Sequence, residues 1–211
     1  MIAIIDYKAG NLKSVERALK GLGFPCRITN EREEILESER VIFPGVGAAG
    51  SAMDDLEGSG VNRVLRDVFE SGIPLMGICL GAQIIMEMSE ENDTTCIGLI
   101  KGRVRRFESP LYEKGGERLK IPHMGWNGVR HNGTHPVLDG IGRDDEFYFV
   151  HSYYPMPALE RHIIGRSEYG IEFPSVIGRK NLIATQFHPE KSAWPGLRIL
   201  RNFCAWDGAY A

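Results

Sequence analysis

Ile73-Pro74-Leu75-Met76-Gly77-Ile78-Cys79-Leu80-Gly81 reads as an apolar strand that breaks sharply into a helix, with a thiol at the bend. Gly77 and Gly81 flank the break. Glycine on both sides allows a strained turn that lifts the Cys79 side chain clear of the backbone. This is the cysteine form of the Gly-x-Ser-x-Gly nucleophile elbow. The stretch therefore points both to an α/β fold and to a candidate covalent catalyst.

The flanking sequence repeats the same alternation. Ile2–Ile5 reads as a first strand, and residues 12–19 carry apolar side chains at helical spacing before Gly21 and Gly23. Cys26–Thr29 is a short strand, residues 31–38 a polar helix, and Val41-Ile42-Phe43 a strand buried on both faces. Val61–Glu70 is amphipathic and closes at Gly72-Ile73-Pro74, and the helix after Cys79 is expected to span residues 80–89. This order predicts a doubly wound, mostly parallel central sheet in a three-layer sandwich.

The second half changes rhythm. Residues 98–107, 147–150, 162–166, 175–179 and 182–187 are strand-like, separated by Gly, Pro and Asn turns. Gly178-Arg179-Lys180-Asn181 is turn-like and predicts antiparallel additions to the sheet. A last helix is expected at residues 195–206, with Pro195 in its tolerant first turn. With no internal repeat or Pro/Ser linker, residues 1–211 are expected to form one domain.

Composition narrows the class. The chain has 211 residues, 43% hydrophobic and 25% charged, enough to bury a sizeable core. A net charge of −3 does not suggest nucleic acid or an acidic membrane as the main partner. No apolar stretch approaches the roughly 18 residues of a membrane span. Met1–Ile5 meets Asp6 at once and reads as a strand rather than a signal peptide. The four cysteines are scattered without a CxxC pair, which predicts reduced thiols and a cytoplasmic protein. Cys26, Cys96 and Cys204 read as small buried hydrophobes.

A cysteine nucleophile needs a base, and the base needs an orienter. His188 and Glu190 leave the C-terminal end of the strand at residues 182–187. Residues two apart on an extended segment face the same side, so the Glu190 carboxylate can lie beside the imidazole. Active sites in parallel α/β sheets gather at the C-terminal strand ends, which brings Cys79 and His188 together. Acyl transfer also needs oxyanion donors. The Leu80 N–H is one, and Pro44-Gly45-Val46-Gly47, at the end of another strand, offers a second through Val46.

Plainer readings compete. Cys79 alone could be a core thiol, and His188 alone a capping or core histidine. Gly45-Val46-Gly47-Ala48-Ala49-Gly50 matches the dinucleotide pattern GxGxxG, yet it follows the third strand. The acids some 20 residues on, Asp67 and Glu70, lie on a helix. His131 and His135 straddle the turn Asn132-Gly133-Thr134, which argues against a shared metal-binding face. No metal site is expected. Arg103–Arg106 reads as a solvated strand face, with an anion site as the alternative.

Gly-Ile-Cys-Leu-Gly-Ala-Gln (77–83) together with Gln-Phe-His-Pro-Glu (186–190) strongly resembles the class I glutamine amidotransferases. Four further segments narrow the resemblance: Asp6-Tyr7-Lys8-Ala9-Gly10-Asn11-Leu12, Pro122-His123-Met124-Gly125-Trp126-Asn127, Tyr148-Phe149-Val150-His151-Ser152-Tyr153 and Lys191-Ser192. They are similar to members that feed a (β/α)8-barrel cyclase making imidazole glycerol phosphate and AICAR in histidine biosynthesis. The resemblance spans nearly the whole chain.

It implies a flavodoxin-like fold, hydrolysis of L-glutamine to glutamate and ammonia, and a channel carrying ammonia to the cyclase in a heterodimer. It implies no cofactor, nucleic acid or membrane. Carried over by position, Cys79 forms a thioester, His188 protonates the leaving ammonia and then activates water, and Glu190 orients His188. Gly47, Gln83, Glu91, Ser152 and Tyr153 match glutamine-contacting positions. Trp126, Asn127, Tyr148 and Lys191 match the face that meets the cyclase, although Trp126 and Tyr148 could instead be core. In this family the Pro44–Gly47 strand is thought to rotate a peptide before its N–H faces the oxyanion, so the subunit alone is expected to be nearly inactive.

The chain departs from the family at Ala49, where Phe is frequent, in the polar segment 109–118, and at the bulky Trp194-Pro195-Gly196. The alternatives are a paralogue feeding another synthase, such as a sugar-modifying one, a cysteine peptidase or chaperone-like relative, and a non-enzymatic subunit. Gln83 and the His-x-Glu spacing argue against the peptidase, and the intact Cys79–His188–Glu190 set against a subunit without activity.

Overall fold

Ile2–Ile5, Arg40–Gly45 and Leu75–Cys79 are buried along all or nearly all of their length, which is why they read as continuous apolar runs rather than alternating ones. In the computed structural model they are interior strands of an eight-stranded sheet. The structure describes residues 1–8, 10–131, 133 and 135–210. Ala9 of the 6–12 segment, and Asn132 and Thr134 of the turn expected between His131 and His135, lie outside the described residues.

Five strands run parallel in the order Cys26–Thr29, Ile2–Ile5, Arg40–Gly45, Leu75–Cys79, Leu182–Thr185. Ile171–Arg179, Ile163–Tyr169 and Arg130–His131 extend the sheet antiparallel beyond Leu182–Thr185. The expected turn after residue 178 joins two of these strands, with Lys180 at φ 53°. Apolar faces of helices Ala49–Ser59 and Val61–Glu70 cover one side of the sheet. Helices Leu12–Gly21 and Ala193–Ala205 cover the other. This is the three-layer α/β sandwich expected from the sequence, with a mostly parallel central sheet and antiparallel additions from the C-terminal half. Among the described residues, no helix is long and apolar enough to cross a membrane.

Several boundaries differ from the sequence reading. The helix after Cys79 spans only Leu80–Ile84 instead of residues 80–89. The carbonyls of Ile84, Ile85 and Met86 accept N–H groups of Ile97, Leu99 and Gly98 at 2.7–2.8 Å, so the incoming segment takes the acceptors that another helical turn needs. The same contacts shorten the strand expected at 98–107 to Gly102–Arg106, which pairs with Met88–Ser89 and Tyr153–Pro157. Helix Ala49–Ser59 was not anticipated. Gly50 and Gly58 lower its propensity, and its burial supplies what propensity lacks. The last helix starts at Ala193 rather than 195, with Pro195 still in its first turn. Segment 109–118 carries one arm of a short hairpin, Leu111–Tyr112 paired with Arg118–Leu119.

Gly81 shows how tightly the bend is packed. A Cβ at Gly81 would lie 2.1 Å from the Phe43 carbonyl oxygen, a backbone atom of the adjoining strand. We expect Gly81→Ala to destabilise the fold by about 3 kcal/mol, read as a lower midpoint of denaturant unfolding at unchanged slope. An unshifted midpoint would show that the neighbouring strand gives way freely.

Candidate active site

Register places the chemistry. Gly45 pairs with Cys79 across one side of the elbow strand, and Thr185 pairs with Ile78 across the other. The Gly45–Gly47 turn, Cys79 and the His188 segment therefore leave neighbouring strands at one end of the sheet.

The strain at the elbow is not where the sequence suggested. Cys79 itself adopts φ 55°, ψ −108°, a region costly for a residue with a Cβ. Neither Gly77 nor Gly81 has positive φ. They are needed for close approach: a Cβ at Gly77 would meet Ala184 Cβ at 3.0 Å, and one at Gly81 the Phe43 oxygen.

His188 is pinned by the neighbouring strand Glu146–His151. Its N–H donates to the Tyr148 carbonyl (3.0 Å), and Ser192 Oγ donates to the His188 carbonyl (2.6 Å) while accepting from the Tyr148 N–H (2.9 Å). His188 Nδ1 lies 2.7 Å from Glu190 Oε1, with both side chains buried. The sequence predicts an extended segment here, but Pro189–Lys191 forms a 3₁₀ turn, and that turn brings the carboxylate back to the ring. The bond places the ring proton on Nδ1 and leaves Nε2 as the working nitrogen. Nε2 is buried without a hydrogen-bond partner, yet Cys79 is close enough to act on the ring's charge. Burial opposes a charge on His188, but Cys79 and Glu190 outweigh it and hold the imidazole up to about 9.

Three supporting side chains escaped the sequence reading. Gln186 Nε2 donates to Cys79 Sγ at 3.8 Å, and Gln186 Oε1 accepts from Gln83 Nε2 at 3.0 Å. Asn11 Nδ2 donates to Glu190 Oε1 at 2.5 Å. The Tyr7 hydroxyl is buried without a partner beside Gly45, and burial, then the nearby Cys79 and Asp55, push it up. Gln186 and Asn11 stand within quoted motifs. Only the fold shows that one faces the thiol and the other crosses 179 positions to the carboxylate.

Cys79 and His188 line a cavity of about 390 Å³. Leu80 and Gln83 line it from the helix after the elbow, Val46 and Gly47 from the end of the neighbouring strand, and Glu91, Ser152 and Tyr153 from the other elements. Glu190 stands behind His188. Gln83 directs its amide nitrogen to the Tyr153 carbonyl (2.8 Å) as well as to Gln186, so it braces the wall it belongs to. Glu91 Oε2 accepts the Ala49 N–H at 2.7 Å, at the start of helix Ala49–Ser59. That settles the GxGxxG pattern: a protein carboxylate occupies the helix end where a dinucleotide phosphate would sit.

Outside the cavity, Trp126 is 51% exposed and packs edge-on to the half-buried Tyr148 with ring centroids 6.1 Å apart. Trp126 is therefore not a core residue. Met124 and Trp194 are exposed as well, as is Lys191. Asn127 directs its amide inward, to the Glu168 carbonyl at 2.8 Å and toward His123 Nε2 at 3.4 Å. Arg103, Arg105 and Arg106 are all exposed, as a solvated strand would be; Arg105 pairs with Glu90 at 3.5 Å, and the Arg106 guanidinium lies 6.0 Å from the Tyr153 ring centroid. His131 and His135 hydrogen-bond to separate backbone groups, at Ile141 and Val137.

Known proteins resemble this chain in sequence and in fold. Residues 3–206 match the glutamine amidotransferase class-I family. Imidazole glycerol phosphate synthase subunit HisH of Nitratidesulfovibrio vulgaris (strain DSM 19637 / Miyazaki F) is 50% identical over 206 residues, covering 98% of this chain and 97% of that protein. The protein of the same name from Geobacillus thermodenitrificans is 45% identical over 204 residues, covering 96% and 94%. Among solved structures, a glutamine amidotransferase superposes with a TM-score of 0.75 at 18% identity, covering 99% of this chain and 100% of that one. PurLQS from Thermotoga maritima superposes with 0.70 at 16% identity, covering 97% of each chain. At such identities the two structures speak for the fold alone.

Proposed function

This chain belongs to the class-I glutamine amidotransferases and, within them, to the HisH subunits of imidazole glycerol phosphate synthase, and from that premise we propose that Cys79, His188 and Glu190 hydrolyse L-glutamine as a triad. The observation that carries the proposal is the 2.7 Å bond from a buried imidazole to a buried carboxylate, beside a thiol on a strained bend, in one cavity.

The steps follow from that geometry. The Cys79 sulfur attacks the amide carbon, and the tetrahedral oxyanion is met by the N–H groups of Leu80 and Val46. His188 Nε2 passes a proton to the leaving nitrogen, ammonia departs, and a thioester remains. Water, deprotonated by His188, releases glutamate and restores the thiol. Glu190 holds the ring in the tautomer these steps need. Gly47, Gln83, Glu91, Ser152 and Tyr153 shape the pocket for glutamine.

The ammonia serves a (β/α)8-barrel cyclase, which makes imidazole glycerol phosphate and AICAR in histidine biosynthesis. At neutral pH free ammonia is mostly non-nucleophilic ammonium, so an enclosed channel to the partner preserves its reactivity. Trp126, Tyr148 and Lys191 form the docking face, with Asn127 bracing it from within. The names carried by the relatives favour this pathway over a paralogous one. Residues 1–211 act as one cytoplasmic domain, a reading that rests on four scattered cysteines without a CxxC pair.

Gly47 sits at φ 100°, a region glycine enters at little cost, so the adjoining peptide can turn when the partner docks. If docking supplies the Val46 donor, adding the cyclase and its nucleotide should raise glutamate release by about 10²–10³-fold. Equal turnover by the isolated chain would refute the partner-controlled oxyanion hole.

A further inference from the structure

Glu190 Oε1 receives two donors, His188 Nδ1 at 2.7 Å and Asn11 Nδ2 at 2.5 Å. The other oxygen, Oε2, is buried with no partner. The side chain is wholly inaccessible, so two donors on one atom hold the entire carboxylate.

Asn11 is built for this reach. It adopts φ 74°, ψ −1°, a left-handed conformation that Asn, Asp and Gly enter most readily. Its carbonyl accepts the Ser14 N–H at 3.1 Å and so opens the Leu12–Gly21 helix. Its side chain makes no cap hydrogen bond to that helix, which is the usual work of an asparagine at a helix start. The amide points instead at Glu190, with Nδ2 also 3.5 Å from His188 Nδ1.

We propose that Asn11 is a positioning residue that acts through Glu190, locking the carboxylate against the imidazole and keeping the shared proton on His188. The inference rests on the triad reading above. Its chemistry is specific to an amide. A neutral N–H donor stabilises the carboxylate anion yet cannot take or give a proton at working pH. Without it, one donor alone holds the buried carboxylate, which is then free to turn about its terminal torsion. A carboxylate in the same place would set acceptor against acceptor.

Asn11→Gly and Asn11→Asp both suit the left-handed backbone, and both remove the donor. A role confined to the backbone would survive either change. In the assembled complex with the barrel partner, each variant should lower kcat for glutamine hydrolysis by about 10–10²-fold, the worth of one charge-assisted hydrogen bond, with KM within about twofold. The far-downfield proton resonance of His188 Nδ1–H, expected in the wild-type chain, should shift or vanish in both. That signal reads the His188–Glu190 pair whether or not glutamine is the substrate. A wild-type complex that leaves glutamine intact would therefore defeat the functional reading, while the resonance still decides the role of Asn11. An unmoved resonance overturns the proposal, and so does a kcat loss that merely tracks weaker assembly with the partner.

Discussion

Cys79→Ala should abolish glutamine hydrolysis by the assembled complex, with kcat falling on the order of 10⁴–10⁶-fold. Among the described residues lining the cavity, Cys79 carries the one thiol that can form a thioester, and alanine offers no substitute nucleophile. The fold should survive, because alanine keeps the Cβ and the strand pairing with Gly45, and the sulfur that is lost accepts a long bond from Gln186. A diazo-oxo glutamine mimic should label the wild-type chain at Cys79 and leave the variant unlabelled. Steady-state glutamate release and mass analysis of the labelled peptide check both outcomes. Undiminished release by the alanine variant would return this chain to the ranks of inactive interaction subunits.

Glu190→Gln should cost on the order of 10³–10⁴ in kcat. The new amide can donate to His188 Nδ1, which moves the ring proton to Nε2, the nitrogen that must face Cys79. It also sets one amide donor against another at Asn11. The pH profile should change in a definite direction. In the native chain Cys79 and Glu190 hold the imidazolium against burial up to about 9, so the protonated form persists through neutrality and is lost as pH rises through that value. Removing the carboxylate leaves burial as a larger share of the balance, and the alkaline limb should move to lower pH. A kcat within tenfold of wild type, with an unmoved limb, would show that Glu190 is a passive neighbour.

Much of this arrangement was legible in the chain because it follows from local pattern. The buried runs at Ile2–Ile5, Val41-Ile42-Phe43 and Leu75–Cys79 announce parallel strands, and strand ends announce where side chains converge. Long-range hydrogen bonding was not legible. The premature end of the helix at Ile84 depends on N–H groups at 97–99, and the use of Asn11 depends on a carboxylate near the other terminus. Glu190 was found for an incomplete reason. Two-residue spacing does place it beside His188, but through a 3₁₀ turn rather than an extended strand. The glycines of the elbow were likewise credited with strain that Cys79 bears, because a sequence displays which residues can bend and not which of them does.

The dihedral angles of Cys79 have an evolutionary consequence. A side chain held at φ 55°, ψ −108° sits where glycine alone is at ease, at a penalty of about 1–3 kcal/mol. Lineages screened for robustness alone would drift toward glycine at this position. A cysteine here is therefore a signature of selection acting against stability, and a design effort that ranks variants only by melting temperature would discard the reactive group first.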